Sequence, residues 1–335
     1  MKRNMYQWVE ETIAAPKKKP LPVLSFPSVQ KLGVTVRELT EDSDKQAEGI
    51  RLMAEHFDMA AAVSYMDLSL EAEAFGSEIR YSGDEVPTVV GSIVDDTESA
   101  GALKVPAVGD GRTGLNLEAI RKVVPQIEDR PVFAGVIGPF SLAGRLLDVS
   151  EAMYYCFDEP ELVHTVLEKV TSFLISYCSA YKEAGANGVV MAEPLAGLLS
   201  GDLAEEFSAA YVRKLVAAVQ DENFLVVYHN CGNSTLNTVD TIVSNGCRAF
   251  HFGNAINMAE MMPHIPANCI AMGNVDPARQ FRNGTPESVY AATREVLEQC
   301  AKYPNFVISS GCDIPPMSSW DNIEAFFRAV SDFYG

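Results

Sequence analysis

Short apolar runs recur along this chain, each followed by a longer stretch at helical spacing, and that alternation constrains the fold more than any other feature. The runs are Pro22 to Phe26, Met59 to Val63, Val132 to Ile137, Gly188 to Ala192, Phe224 to Tyr228, Ala249 to Phe252, Cys269 to Met272 and Phe306 to Ser309. Each is too short for a buried helix and reads as a strand covered on both faces. Helical patterns fill the gaps, at Pro160 to Ala184, Leu203 to Val219, Pro286 to Ala301 and Trp320 to Phe333. In the first of these Val163, Val166, Val170, Phe173, Leu174 and Tyr177 form one stripe. Asp158-Glu159-Pro160 and Thr285-Pro286-Glu287 place a proline where it is preset for a first helical turn. Eight strands with intervening helices predict a single α/β domain over residues 1–335, a (β/α)₈ barrel. Residues 1–20 form a helical extension and Val63 to Pro131 an insertion after the second strand. The alternative, a doubly wound open sheet, lacks support because no G-x-G-x-x-G follows the first strand.

Polar or reactive residues directly follow several of these strands: Asp67, Glu193, His229 with Cys231, Asn254, Asn274 with Asp276, and Cys312 with Asp313. In a barrel such positions converge on the C-terminal face, where the site is built. His229 and Cys231 sit two apart in Tyr228-His229-Asn230-Cys231-Gly232, so in an extended segment they point the same way. With Cys312 they supply one imidazole and two thiolates, a set that suits zinc with an open fourth position. Spacing alone leaves a second reading open, two buried cysteines and a core histidine near a turn.

The chain has 26 basic and 45 acidic residues, a net charge of −19. Such a surface repels phosphate backbones and argues against nucleic acid as a partner. No apolar run is long enough to span a membrane. The N-terminus has its Lys17-Lys18-Lys19 cluster after its apolar residues, the reverse of a signal peptide, which predicts a cytoplasmic protein. Seven cysteines without a C-x-x-C pair argue against a disulfide framework, and Cys156, Cys178, Cys247, Cys269 and Cys300 read as buried thiols.

Three segments carry a family resemblance: Asp67-Leu68-Ser69-Leu70-Glu71-Ala72-Glu73-Ala74-Phe75-Gly76, Gly138-Pro139-Phe140-Ser141-Leu142-Ala143 and Gly311-Cys312-Asp313-Ile314-Pro315-Pro316. Together with Asn322-Ile323-Glu324-Ala325-Phe326, they resemble the uroporphyrinogen decarboxylase superfamily from about residue 20 to the end. The decarboxylases of that superfamily have an Arg- and Gln-rich segment after the first strand, a histidine at the position of Cys312 and no His-x-Cys element. Here the first segment reads Leu24-Ser25-Phe26-Pro27-Ser28-Val29-Gln30-Lys31. The chain is therefore more similar to the cobalamin-dependent methyltransferase branch, the methylcobalamin:coenzyme M and O-demethylase types. That resemblance implies a zinc ion on His229, Cys231 and Cys312. It also implies methyl transfer between a small substrate and cobalt. The Asp-x-His-x-x-Gly signature of a cobalamin module is absent from these residues, so the corrinoid is expected on a separate partner protein.

Several residues are assigned as expectations. Glu193 reads as a movable fourth zinc ligand, a general base or a partner of His229, against a helix-capping glutamate. Asp67 reads as a substrate-pocket carboxylate, against a loop aspartate. His251, inside an apolar run, reads as a packed and hydrogen-bonded ring. Tyr65, Met66, Phe140, Phe252, Met272, Met317 and Trp320 are expected as an apolar rim, which favours a methylated donor such as an aryl methyl ether or methanol. A thiol acceptor of the coenzyme M type is the alternative, for which Arg145, Arg248 or Arg279 would hold a sulfonate. A metal-free decarboxylase is a further alternative.

Overall fold

In the computed structural model, which describes residues 2–335, seven strands form one parallel sheet in chain order. They are β1 (Ala62–Val63), β4 (Val132–Ile137), β5 (Gly188–Ala192), β6 (Leu225–Asn230), β7 (Ala249–Phe252), β8 (Ile270–Val275) and β9 (Phe306–Ser310). The extended segment 20–25 closes the gap between β9 and β1. Leu21 N–H donates to Ile308 O (3.0 Å), and Pro20 O accepts from Ala60 N–H (2.9 Å). This eighth stave is expected as a strand from Pro22 but is not a regular one. Proline at 20 and 22 removes two ladder donors, and Val23 N–H bonds the Ser310 hydroxyl (3.1 Å) instead of a carbonyl. The result is the expected (β/α)₈ barrel.

Strand ends shift modestly from expectation: β1 is shortened to two residues, and β8 runs on to Val275. The helices Pro160–Glu183, Pro286–Cys300 and Trp320–Tyr334 match their predicted spans closely. The second of them opens with a capping box between Thr285 and Ser288. The predicted helix from Leu203 is instead Gly201–Ala204, a π-helical turn Glu205–Ala209 and a helix Ala210–Val219. Between β1 and β4 the insertion contributes the short helices Leu70–Ala74 and Thr97–Ala102, the helix Thr113–Val123, and an antiparallel hairpin of β2 (Glu78–Arg80) and β3 (Thr88–Val90).

Inward-facing side chains fill the lower barrel with an apolar layer that includes Val63, Phe133, Val190, Leu225, Val227, Ala249, Ile270 and Val307. The N-terminal helix Met5–Ala14 covers this end, burying Met5 and Val9 in the same cluster. Trp8 meets Phe133 edge-on, at 5.8 Å between ring centroids. Burial of this apolar floor leaves only the opposite end for polar chemistry. Among the described residues no helix is long and apolar enough to cross a membrane.

Candidate metal centre at the barrel mouth

Side chains of a strand alternate, so His229 and Cys231 continue upward the inward row begun by Leu225 and Val227. Parallel register sets His229 beside His251 of β7, and the top of β9 brings in Ser309 and then Cys312. The potential donor atoms of His229, Cys231 and Cys312 all lie within 4.8 Å of one another. His229 Nε2 is 3.5 Å from Cys312 Sγ. Zinc bonds of ~2.05 Å to nitrogen and ~2.3 Å to sulfur at a tetrahedral angle give an edge of ~3.6 Å. The one edge of known length suits such a tetrahedron and the other donors lie within the 4.8 Å bound, so these three side chains, with the soft donors zinc favours, could hold the ion. Cys231 is pushed down to about 4, chiefly by the hydrogen bond from Cys312. The same bond, with burial, holds the Cys312 proton in place. A metal would displace that shared proton. Gly253 makes the approach possible: a Cβ there would lie 2.5 Å from that of Cys231.

Behind His229 runs a chain of hydrogen bonds whose direction is fixed at one end. The Leu21 carbonyl can only accept, so the Ser309 hydroxyl donates to it (2.7 Å). Ser309 Oγ then accepts from His251 Nε2–H (2.8 Å). His251 Nδ1, left with a lone pair, accepts from His229 Nδ1–H (2.6 Å). His229 consequently presents its Nε2 lone pair to the two sulfurs. Burial, followed by the neighbouring His229, holds His251 well below the ordinary histidine range and keeps it neutral. A metal-binding imidazole is commonly oriented by such a partner on its other nitrogen. The expectation of a packed, hydrogen-bonded His251 holds, but its partner, the ring of His229, was not foreseen.

The structure leaves Glu193 out of this cluster. Its fully buried carboxylate accepts from Phe140 N–H and Ser141 N–H (both 2.8 Å) and from the Ser208 hydroxyl (3.1 Å). Glu193 thus caps the helix Pro139–Leu147, whose N-terminal dipole favours a negative charge. Gly138 permits this, since a Cβ there would stand 2.5 Å from the carboxylate carbon. Asp67 is also occupied. Its Oδ1 accepts from Ser69 N–H (3.0 Å) and the Ser69 hydroxyl (2.6 Å), and its Oδ2 pairs with Arg112. Arg112 also binds Glu73 (2.7 Å). Nothing in the sequence singled out Arg112, which meets Asp67 only because the insertion folds back over the mouth.

The expected rim is largely absent. Phe140, Phe252 and Met272 are fully buried, and Trp320 stacks on Phe57 at 5.6 Å. Of the three candidate arginines, Arg248 lies over Tyr6 of the N-terminal helix, at the wrong end of the barrel. Arg279 lines a cleft between Asn254 and Gln299. Arg145 lines a cavity with Met66, Leu68, Val89 and Asp313. The other five cysteines are all buried.

The profile of the uroporphyrinogen decarboxylase (URO-D) family matches residues 24–333. The chain belongs to the uroporphyrinogen decarboxylase family. Within that family it is 29% identical to the methylcobamide:CoM methyltransferase MtbA of Methanosarcina acetivorans, over 80% of this chain and 78% of that one. It is 26% identical to a uroporphyrinogen decarboxylase of Coxiella burnetii, over 83% and 78% of the two chains. A solved methyltransferase from Methanosarcina mazei superposes with a TM-score of 0.86 at 24% identity, covering 99% of this chain and all of the other, which shows a shared fold.

Proposed function

We propose that this family member moves a methyl group between a small thiol and the cobalt of a corrinoid carried by a separate protein. The observation that carries the reading is the cluster of His229, Cys231 and Cys312, with Nε2 of the histidine turned toward the sulfurs by His251. These three residues would hold zinc. A zinc ion there would keep a bound thiol deprotonated near neutral pH. His251 and Ser309 orient His229, and the apolar layer beneath excludes water from that side. The similarity to MtbA supports a corrinoid as the other substrate. Burial of the expected aromatic rim removes the argument for an aryl ether donor, and two sulfur ligands favour a thiol over an oxygen leaving group. Encounter between this acidic chain, net charge −19, and the corrinoid protein is expected to be salt-sensitive.

The test is thiol methylation by methylcobalamin, followed through the cobalt absorbance, in protein as purified and after chelation. Activity should disappear with the metal, return with zinc, and be absent in Cys312→Ser. Full activity in metal-free protein, or consumption of uroporphyrinogen in its place, would overturn the proposal.

A further inference from the structure

Cys231 stands one residue past the end of β6, so strand pairing alone does not fix it. The last main-chain bonds on either side run from Glu193 N–H to His229 O (2.8 Å) and from Gly253 N–H to Asn230 O (3.0 Å). What bends the chain next is the side chain of Asn230. It alternates with His229 and Cys231 and so points away from the barrel centre, where it is buried at 1% exposure. Its Oδ1 accepts from Gly232 N–H (2.9 Å), which closes an Asx-turn with Cys231 as the middle residue. The Thr235 hydroxyl lies 3.0 Å from the same oxygen. Its Nδ2 donates to Glu193 O (3.0 Å), at the end of β5, and to Tyr228 Oη (3.3 Å). A main-chain N–H can only donate and a carbonyl can only accept, so these partners fix which way round the amide stands. The turn is also pressed from both sides. A Cβ on Gly197, in the loop after β5, would lie 2.6 Å from Asn230 Oδ1 and 2.7 Å from Gly232 Cα. One on Gly253, after β7, would lie 2.5 Å from Cys231 Cα. Backbone approaches this close need glycine and leave the turn little room to move.

The geometry points to Asn230 as a positioning residue for the candidate metal centre: through the Asx-turn it sets where Cys231 Sγ stands relative to His229 Nε2 and Cys312 Sγ. The inference rests on the metal-site reading above. With alanine at position 230 the turn loses its acceptor, Gly232 N–H loses its partner, and Cys231 has to be ordered by the metal itself. That ordering costs conformational entropy, which is taken from the affinity of the site. Partners that orient a metal ligand from behind are typically worth 10–100-fold in affinity.

Binding of zinc and of Co(II) to the full chain tests this, with Asn230→Ala, Asn230→Ser, Gly197→Ala and Tyr228→Phe beside the parent protein. The parent protein should show two sulfurs on zinc by X-ray absorption and an intense thiolate-to-Co(II) charge-transfer band. Asn230→Ala should lower zinc affinity by roughly 10–100-fold and weaken the band toward that of a single thiolate. Asn230→Ser, whose hydroxyl can close the same turn more weakly, should recover part of the loss. Gly197→Ala should resemble Asn230→Ala, because its methyl group pushes on the turn from the neighbouring loop. Tyr228→Phe removes a partner of the same amide but leaves the turn closed. It should lower thermal stability and keep the parent's affinity and band. If Asn230→Ala retains both sulfurs and an affinity within twofold of the parent protein, or if Tyr228→Phe weakens the band as much, the positioning role is overturned while the metal site stands. A parent protein that binds neither ion overturns both. If metal binding depends on Asn230 as described yet no thiol is methylated, the positioning role survives and the methyl-transfer reading falls.

Discussion

Replacing His251 by phenylalanine tests the hydrogen-bond chain behind the candidate metal centre. The substitution keeps an aromatic ring of similar volume but removes the acceptor for His229 Nδ1–H, 2.6 Å away in a fully buried setting. A buried donor without a partner costs about 1–3 kcal/mol. The imidazole can escape part of that cost in the metal-free state by moving its proton to Nε2, but only by surrendering the lone pair that faces Cys312. Metal binding must reverse the shift, so the penalty falls on affinity. Loss of such an orienting partner typically weakens a site 10–100-fold, about 1.4–2.7 kcal/mol. Zinc affinity measured by competition with a chromophoric chelator should fall within that range. His251→Gln, which restores an acceptor, should recover part of it. Ser309→Ala should cost less, because His251 stays in place and loses only the partner that fixes its tautomer. An affinity within twofold of the parent protein for His251→Phe, with unchanged thermal stability, would refute the reasoning.

Three other outcomes are expected. Glu193→Gln should destabilise the fold by about 1–3 kcal/mol in urea titrations, since one of its carboxylate acceptors becomes an amide N–H₂ aimed at backbone N–H groups, while zinc affinity stays unchanged. Glu71 is fully buried, one carboxylate oxygen has no partner, and burial raises it from the ordinary 4.5 to about 8. Its folded form therefore holds a proton that the unfolded chain releases, so stability present below pH 4.5 is lost as pH rises toward 8. Glu71→Gln should match the parent protein near pH 4 and exceed it above pH 8 by on the order of 5 kcal/mol, measured as unfolding midpoints across that range. Arg112→Met should cost about 3–5 kcal/mol by leaving Asp67 buried and unpaired, and adding Asp67→Asn should return part of the loss, a non-additivity visible in a double-mutant cycle.

The sequence by itself determined the barrel and the end of it that carries the candidate site. Apolar runs short enough to be strands, alternating with amphipathic helices, admit few other closed arrangements, because a strand buried on both faces has to be apolar throughout. His229 and Cys231 were legible as a pair since a two-residue step in extended chain repeats the same side, and Cys312 was legible because it follows a strand of its own. What tertiary structure decided lies between segments. The bond from His229 to His251 spans 22 positions and exists only through the register of two parallel strands. Glu193 became a helix cap, and not a ligand, because the end of β5 stands against the first turn of another helix. Asp67 was taken up by Arg112 from 45 positions away, in an insertion whose path no local pattern encodes. Local sequence records the side a residue faces; which partner waits there depends on how distant elements pack.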